Sequence, residues 1–403
     1  MPRLLSRATV TAATLGLLGA SLVAPLTGWA STADQPVRHT SAAPPDIGTG
    51  LIASPLATPH PVVAADGRRH LLYELQLINV LGVAVTVDRV RTVDTRSGRV
   101  LAELAGDAVA AVMRPFGGKP AGSTLQPSEA GVLLLDVALP RSARVPKTMA
   151  HDFGLTYASD QGLPAQQRSG LVQVGRDHPA VIGAPLKGAG WIAGNACCNG
   201  ATPHRQAVNP INGALYVAQR FAIDFARLTP DRRLVEGDPE ALASWPSYGA
   251  EVVSAARGVV VDTRDGFADN TPVGSLPPIS LDNVGGNYVV VDMGGGRFAW
   301  YAHLQPGSLR VTVGDRVRRG QRLGLVGNSG NTDFPHLHFH VMDSPSPLAS
   351  DGLPYVFDRF RSPGSIANVE ELAAGEPAVF DPALSGRHLR RIPMDLQEVG
   401  FRS

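Results

Sequence analysis

Three observations predict a chain dominated by β-structure. Apolar residues recur with a period of two rather than 3.6 through most of its length. Gly and Pro, 44 and 33 of them against 12 Phe, 7 Tyr and 4 Trp, cut the sequence into short turn-bounded segments. No repeat of solenoid length is present, so a helical array is not expected. A length of 403 residues suffices for two or three domains, and 44% hydrophobic residues suffice for their cores. Lys and Arg number 36 against 35 Asp and Glu, so the chain carries no basic footprint for nucleic acid.

Arg3 and Arg7 precede a mostly apolar stretch from Val10 to Pro25, followed by the small-residue pattern Gly28-Trp29-Ala30. This is the layout of a secretory signal over residues 1–30, short for a bilayer span of about 20 apolar residues. An uncleaved anchor is the alternative. No later segment is long and apolar enough to cross a membrane. The mature protein is therefore expected to be exported, to the periplasm, the cell envelope or the extracellular space, with no membrane span after signal cleavage. Residues 31–50, rich in Ser, Thr, Ala and Pro, read as a flexible linker.

Residues 51–160 alternate strictly. Tyr73, Leu75 and Leu77 interleave with Glu74 and Gln76, and Val83, Val85 and Val87 with Ala84, Thr86 and Asp88. With turns such as Asp66-Gly67 and Ser97-Gly98, this predicts a small Ig-like antiparallel β-sandwich. His60, His70 and His151 stand alone there and suggest no catalytic constellation. Residues 161–199 read as a glycine-punctuated connector ending in Cys197-Cys198. Neighbouring Cα atoms sit about 3.8 Å apart, below the usual disulfide range of about 4.4 to 6.8 Å. A strained vicinal disulfide, two buried thiols and a metal ligand all stay open for this pair.

Residues 200–360 form a second strand-rich body, with strands expected at 251–262, 287–292, 298–304, 322–326 and 336–341. Residues 361–403 read as a partly ordered tail. The most informative run is Pro335-His336-Leu337-His338-Phe339-His340-Val341. Alternation puts His336, His338 and His340 on one strand face and Leu337, Phe339 and Val341 on the other. A single His-x-His would read as a solvated edge. Three alternating imidazoles behind a Gly-rich turn, backed by an unbroken apolar face, point to metal binding or proton transfer.

This second body resembles the lysostaphin-like (LytM-type) zinc metallopeptidases, which cut the peptide part of bacterial peptidoglycan. The resemblance rests on Arg220-Phe221-Ala222-Ile223-Asp224-Phe225, Tyr301-Ala302-His303-Leu304, Val313-Gly314-Asp315-Arg316-Val317 with Gly320-Gln321, and Gly327-Asn328-Ser329-Gly330 leading to the His run. It implies an antiparallel β-sheet groove with Zn2+ on its floor. By position it makes Asp224 and His338 metal ligands, and His303 and His336 the pair that polarises the metal-bound water and stabilises the oxyanion. Catalytic zinc usually has three protein ligands and one open position.

One ligand is missing from the pattern. The family has His four residues before the aspartate, where this chain has Arg220, which offers no lone pair. Two replacements are available. Asn212-Gly213 signals a hairpin in which paired residue numbers sum to about 425, setting His204 beside Arg220, although alternation turns it away from Asp224 unless a bulge intervenes. His340 already shares the His338 face. Arg220 itself is expected to pair with Asp224 or with an acidic substrate group. The leading expectation is an exported zinc metalloendopeptidase acting on peptidoglycan or another exported peptide, with specificity in loops such as residues 263–284. The alternative is a catalytically degenerate LytM-type factor that binds or regulates the wall.

Overall fold

The sequence folds as the alternation demands. The computed structural model describes residues 46–401, so the signal-like segment and most of the expected linker lie outside the described residues. Strands dominate, and nearly all pair antiparallel. The fold class read from the sequence holds.

Two five-stranded antiparallel sheets make up the N-terminal part. One is built on Arg69–Asn79 and Ala130–Leu139, the other on Val85–Asp94 and Thr148–Tyr157. Leu71, Tyr73, Leu75 and Leu77 pack with Val87, Val90, Met149 and Phe153 in one shared core. The strand Gln166–Gln173 adds to the second sheet, so the strands run past the boundary expected near residue 160. Of the intervening positions of Arg69–Asn79, His70, Leu72 and Glu74 are also buried. Leu72 joins the core of the second body, and Glu74 is fully buried. This sheet is therefore covered on both faces.

The second body is one large sheet. Its central order is Gln397–Phe401, Gly188–Gly194, Ile223–Arg227, Leu337–Met342, Phe298–Leu304, Asn287–Asp292 and Gly258–Arg264. Ile223, Phe225, Tyr301, Leu337, Phe339, Val341 and Phe357 fill the core on one side. Two expectations are corrected here. The stretch read as a connector supplies a central strand, Gly188–Gly194, because a Gly-spaced run still pairs when both its neighbours are strands. The stretch read as a tail supplies Gly386–Arg391 and Gln397–Phe401, the latter paired with Gly188–Gly194. Its charged residues had masked the alternation of Gln397, Val399 and Phe401, all buried. From Gly48 onward the chain is one compact unit. Among the described residues no helix is long and apolar enough to cross a membrane.

His70, on the same strand face as Glu74, is nearly buried between two carboxylates, with Nδ1 2.9 Å from Asp136 and Nε2 3.1 Å from Asp66. Burial disfavours its charge, but the hydrogen bonds to Asp136 and Asp66 prevail and raise its pKa to about 9. A raised pKa contributes stability that is complete below the unfolded value near 6.5 and is lost as pH rises through about 9. Urea unfolding is thus expected to show stability falling by on the order of 3 kcal/mol between pH 6.5 and 9.5. His70→Gln should flatten that part of the profile.

Candidate metal centre

Antiparallel register creates the centre. Asp224 lies directly opposite His338, and Ala302 pairs with His338 from the other side. Directly opposed side chains on one face have Cβ atoms about 5 Å apart, so a carboxylate and an imidazole are set against each other by backbone pairing alone. His338 Nδ1 lies 2.9 Å from Asp224 Oδ1.

The third group arrives from outside the sheet. After the strand Gly188–Gly194 the chain turns at Asn195, whose φ is 53°. It then passes the bonded pair Cys197–Cys198 and enters a four-residue helix, Pro203–Gln206, with proline at its first position. His204 on this helix places Nε2 3.1 Å from Asp224 Oδ2, while its Nδ1 lies 3.0 Å from the Asn195 carbonyl. That contact puts the His204 proton on Nδ1 and leaves Nε2 free to ligate. Asn195 Nδ2 donates to Asp224 Oδ2 at 2.9 Å. One nitrogen or oxygen of each of His204, Asp224 and His338 lies within 4.8 Å of the others.

This set fits a metal ion. Ligand atoms about 2.0 to 2.1 Å from a tetrahedral zinc stand about 3.3 Å apart, close to the 3.1 and 2.9 Å that separate His204 and His338 from the Asp224 oxygens. Two imidazole nitrogens and one carboxylate oxygen are also a donor set that zinc accepts. The electrostatics favour a cation too: burial opposes ionisation of Asp224, yet His204 and His336 hold its pKa well below the usual carboxylate range. His338, desolvated by burial, drops to about 4 and is neutral at pH 7.

His303 and His336 line the same cavity, about 350 Å³ in volume, with Trp300, Leu276, Val284 and Phe334. His303 Nδ1 lies 2.8 Å from the Ser329 carbonyl, and His336 Nδ1 lies 2.9 Å from the Phe334 carbonyl and 3.1 Å from Thr332 Oγ1. His303 therefore carries its proton on Nδ1 and keeps Nε2 as the working atom, while His336, held likewise through Nδ1, has its Nε2 3.3 Å from Asp224 Oδ1. His303 has φ 61°, a left-handed conformation unusual for a non-glycine residue. The Ser329 carbonyl it needs is brought in by Gly286, where a Cβ would lie 2.1 Å from that oxygen. Burial holds His303 neutral; at His336 burial is outweighed by Asp224, which raises its pKa.

Two expectations change. Arg220 does not face Asp224 or the cavity. Its guanidinium meets Glu74 at 2.7 and 2.9 Å and Asp351 at 2.9 Å, and donates to the Gly352 carbonyl at 3.0 Å. Its charge is spent where the second body covers the N-terminal sheet. His204 does approach Asp224, but not by the hairpin: Asn209–Ile211 and Ala214–Tyr216 pair with numbers summing as expected, and the ladder ends at Asn209 opposite Tyr216. The helix carries His204 to the site instead. His340 stands behind the centre, fully buried, with Nδ1 3.0 Å from His338 Nε2. Its contact in the site is with His338, and it is not among the three groups whose donor atoms converge. Sequence reasoning missed Asn195, for which no signal existed. It also missed Trp300, whose ring packs 5.2 Å from His338 and 5.0 Å from His340; the alternation in Phe298–Leu304 could have found it.

Buried imidazoles converging on one carboxylate beside a cavity form a donor cluster of the type that could hold a metal ion. Residues 244–350 match Peptidase family M23, so this part of the chain is an M23 (LytM-type) peptidase domain. The match includes His303, His336 and His338 and begins beyond Asp224. Curated relatives include the peptidoglycan DD-endopeptidase ShyA of Vibrio cholerae, 36% identical over 139 residues, covering 34% of this chain and 27% of that protein. The glycyl-glycine endopeptidase ALE-1 of Staphylococcus capitis is 39% identical over 75 residues, covering 18% and 20%. The chain thus spans about a quarter or less of the length of these relatives. Among solved structures, the lysostaphin catalytic domain from Staphylococcus simulans covers 40% of this chain and 86% of its own at 21% identity, with a TM-score of 0.21. Superposition this loose adds nothing to the assignment.

Arg220→His, which restores the family residue, is expected to add no ligand. It should leave Glu74 short of its guanidinium and lower stability by about 3–5 kcal/mol in urea unfolding, with metal content per folded molecule unchanged.

Proposed function

We propose that the protein is an exported zinc endopeptidase that hydrolyses peptide bonds of bacterial peptidoglycan. One observation carries the reading: His204, Asp224 and His338, drawn from a helix and two strands, converge beside the cavity that His303 and His336 line. The substrate class follows the two Vibrio cholerae relatives ShyA and ShyC, both named peptidoglycan DD-endopeptidases. The segment with Arg3, Arg7 and Gly28-Trp29-Ala30 supports export.

His204, Asp224 and His338 would hold the zinc. When bound, the ion lowers the pKa of its water toward 7 and acts as a Lewis acid on the scissile carbonyl. The rest is the work of side chains. His303 and His336, tethered through Nδ1, present Nε2 to the cavity, one accepting a proton and the other supporting charge on the carbonyl oxygen. Trp245 stacks on Phe334 at 5.4 Å, which stiffens the wall that carries the His336 carbonyl partner. The non-catalytic reading drew its force from Arg220; with His204 beside Asp224, that reason falls away.

Purified sacculi are the test substrate. Release of peptide fragments is expected from the zinc-loaded protein and should stop on chelation. His303→Ala should retain zinc while kcat falls about 10²- to 10⁴-fold. A zinc-loaded protein that leaves sacculi intact overturns the proposal.

A further inference from the structure

The helix that carries His204 is only four residues long, too short to be stable by itself. Between Gly194 and Asn209 its flanks have no strand pairing apart from a single bridge between Cys197 and Met394. Something else must fix the ligand. On the far side of this helix lies the N-terminal sheet, and the next residue, Arg205, is driven into it. Arg205 is 1% exposed. Its Nη2 lies 3.2 Å from Glu74 and donates to the carbonyls of Leu135 at 3.2 Å and Tyr73 at 3.4 Å. Gly200, just upstream, lies so close to the same sheet that a Cβ would meet Val112 at 3.0 Å and the Leu134 carbonyl at 3.2 Å.

Successive residues of a helix point about 100° apart. Arg205 is therefore directed into the N-terminal sheet while His204 faces Asp224, and neither can shift alone. Glu74 forms an ion pair with Arg205 and accepts hydrogen bonds from Arg220, the residue standing where the family has its histidine. Two guanidinium groups and the carboxylates of Glu74 and Asp351 form a charge-balanced cluster in which all but the partly exposed Asp351 are buried. Such a cluster is costly to open, because removing one member strands the others without solvent.

We infer that the N-terminal sheet is a structural part of the metal centre: Glu74, acting through Arg205, is a positioning residue for the ligand His204. The inference rests on the zinc reading of the site. It assigns the N-terminal body a role in holding the metal, one that shielding the groove or anchoring the enzyme to the wall would not require.

The test uses the full chain as wild type, His204→Ala, Arg205→Met, Glu74→Gln and the double variant His204→Ala/Arg205→Met. Zinc affinity is read by competition with a chromophoric chelator, and the stability of each metal-free protein by urea unfolding. Arg205→Met is expected to weaken zinc binding 10- to 100-fold, the range seen when the support that orients a ligand is lost. In the His204→Ala background it should weaken binding no further, since both changes act on one ligand. A residue that serves stability alone would lower the unfolding midpoint and leave zinc affinity of the folded protein at the wild-type value; that result overturns the inference. If Arg205→Met does not fold, Glu74→Gln, which keeps the shape and one acceptor oxygen, decides on the same criterion. Wild-type zinc affinity in His204→Ala would overturn the ligand assignment itself, a failure distinct from intact His204 dependence with an idle Arg205.

Discussion

A single buried carboxylate organises this protein's centre. Asp224 sits in the middle of a sheet, where an ionised group survives only if its lone pairs are satisfied. One oxygen faces His338 and His336, the other His204 and Asn195. Strand pairing supplies His338 at once; the others come from the turn and helix that follow Gly194 and from the run entering Leu337–Met342. Every outer feature of the site keeps these groups on that carboxylate, from the Asn195 carbonyl on His204 to His340 behind His338.

A second buried carboxylate, Glu74, plays the matching part at the seam between the two bodies. Exchanging a motif histidine for Arg220 reads in the sequence as damage. In three dimensions the arginine belongs to another structure, a cluster shared by Glu74, Arg205 and Asp351. Each carboxylate collects its partners from segments far apart in the chain, and the helix Pro203–Gln206 serves both, with one residue facing each.

What could be read beforehand was whatever has a short period. The β-class, the face shared by His336, His338 and His340, and the apolar face behind them all follow from alternation. The hairpin at Asn212-Gly213 follows from turn chemistry. Features made by distant segments left no such trace. Glu74 looks like a solvent-facing residue of an amphipathic strand, because the pattern cannot reveal that a second body covers that face. Gly188–Gly194 and Gln397–Phe401 look like linker and tail because glycines and charges obscure strands whose stability comes from the neighbours they join. His204 was reachable as a suspect only because one histidine was missing, and the path by which it arrives is a helix too short to leave a periodic signature.

The strict alternation of the strand Leu337–Met342 also sets what evolution can change. Adding or deleting one residue there would exchange its faces, sending His338 and His340 into the hydrocarbon interior and Phe339 into the groove. The loop spanning residues 265–284, which brings Leu276 and Val284 to the rim, is under no such parity rule. Beyond the bonds that tie Asp269 and Asn270 to the turn at Asn328, no strand register fixes its length. Reactivity and recognition are thus written in separate stretches of the gene, one frozen by geometry and the other open to drift, so that lineages can retarget the groove without rebuilding its chemistry.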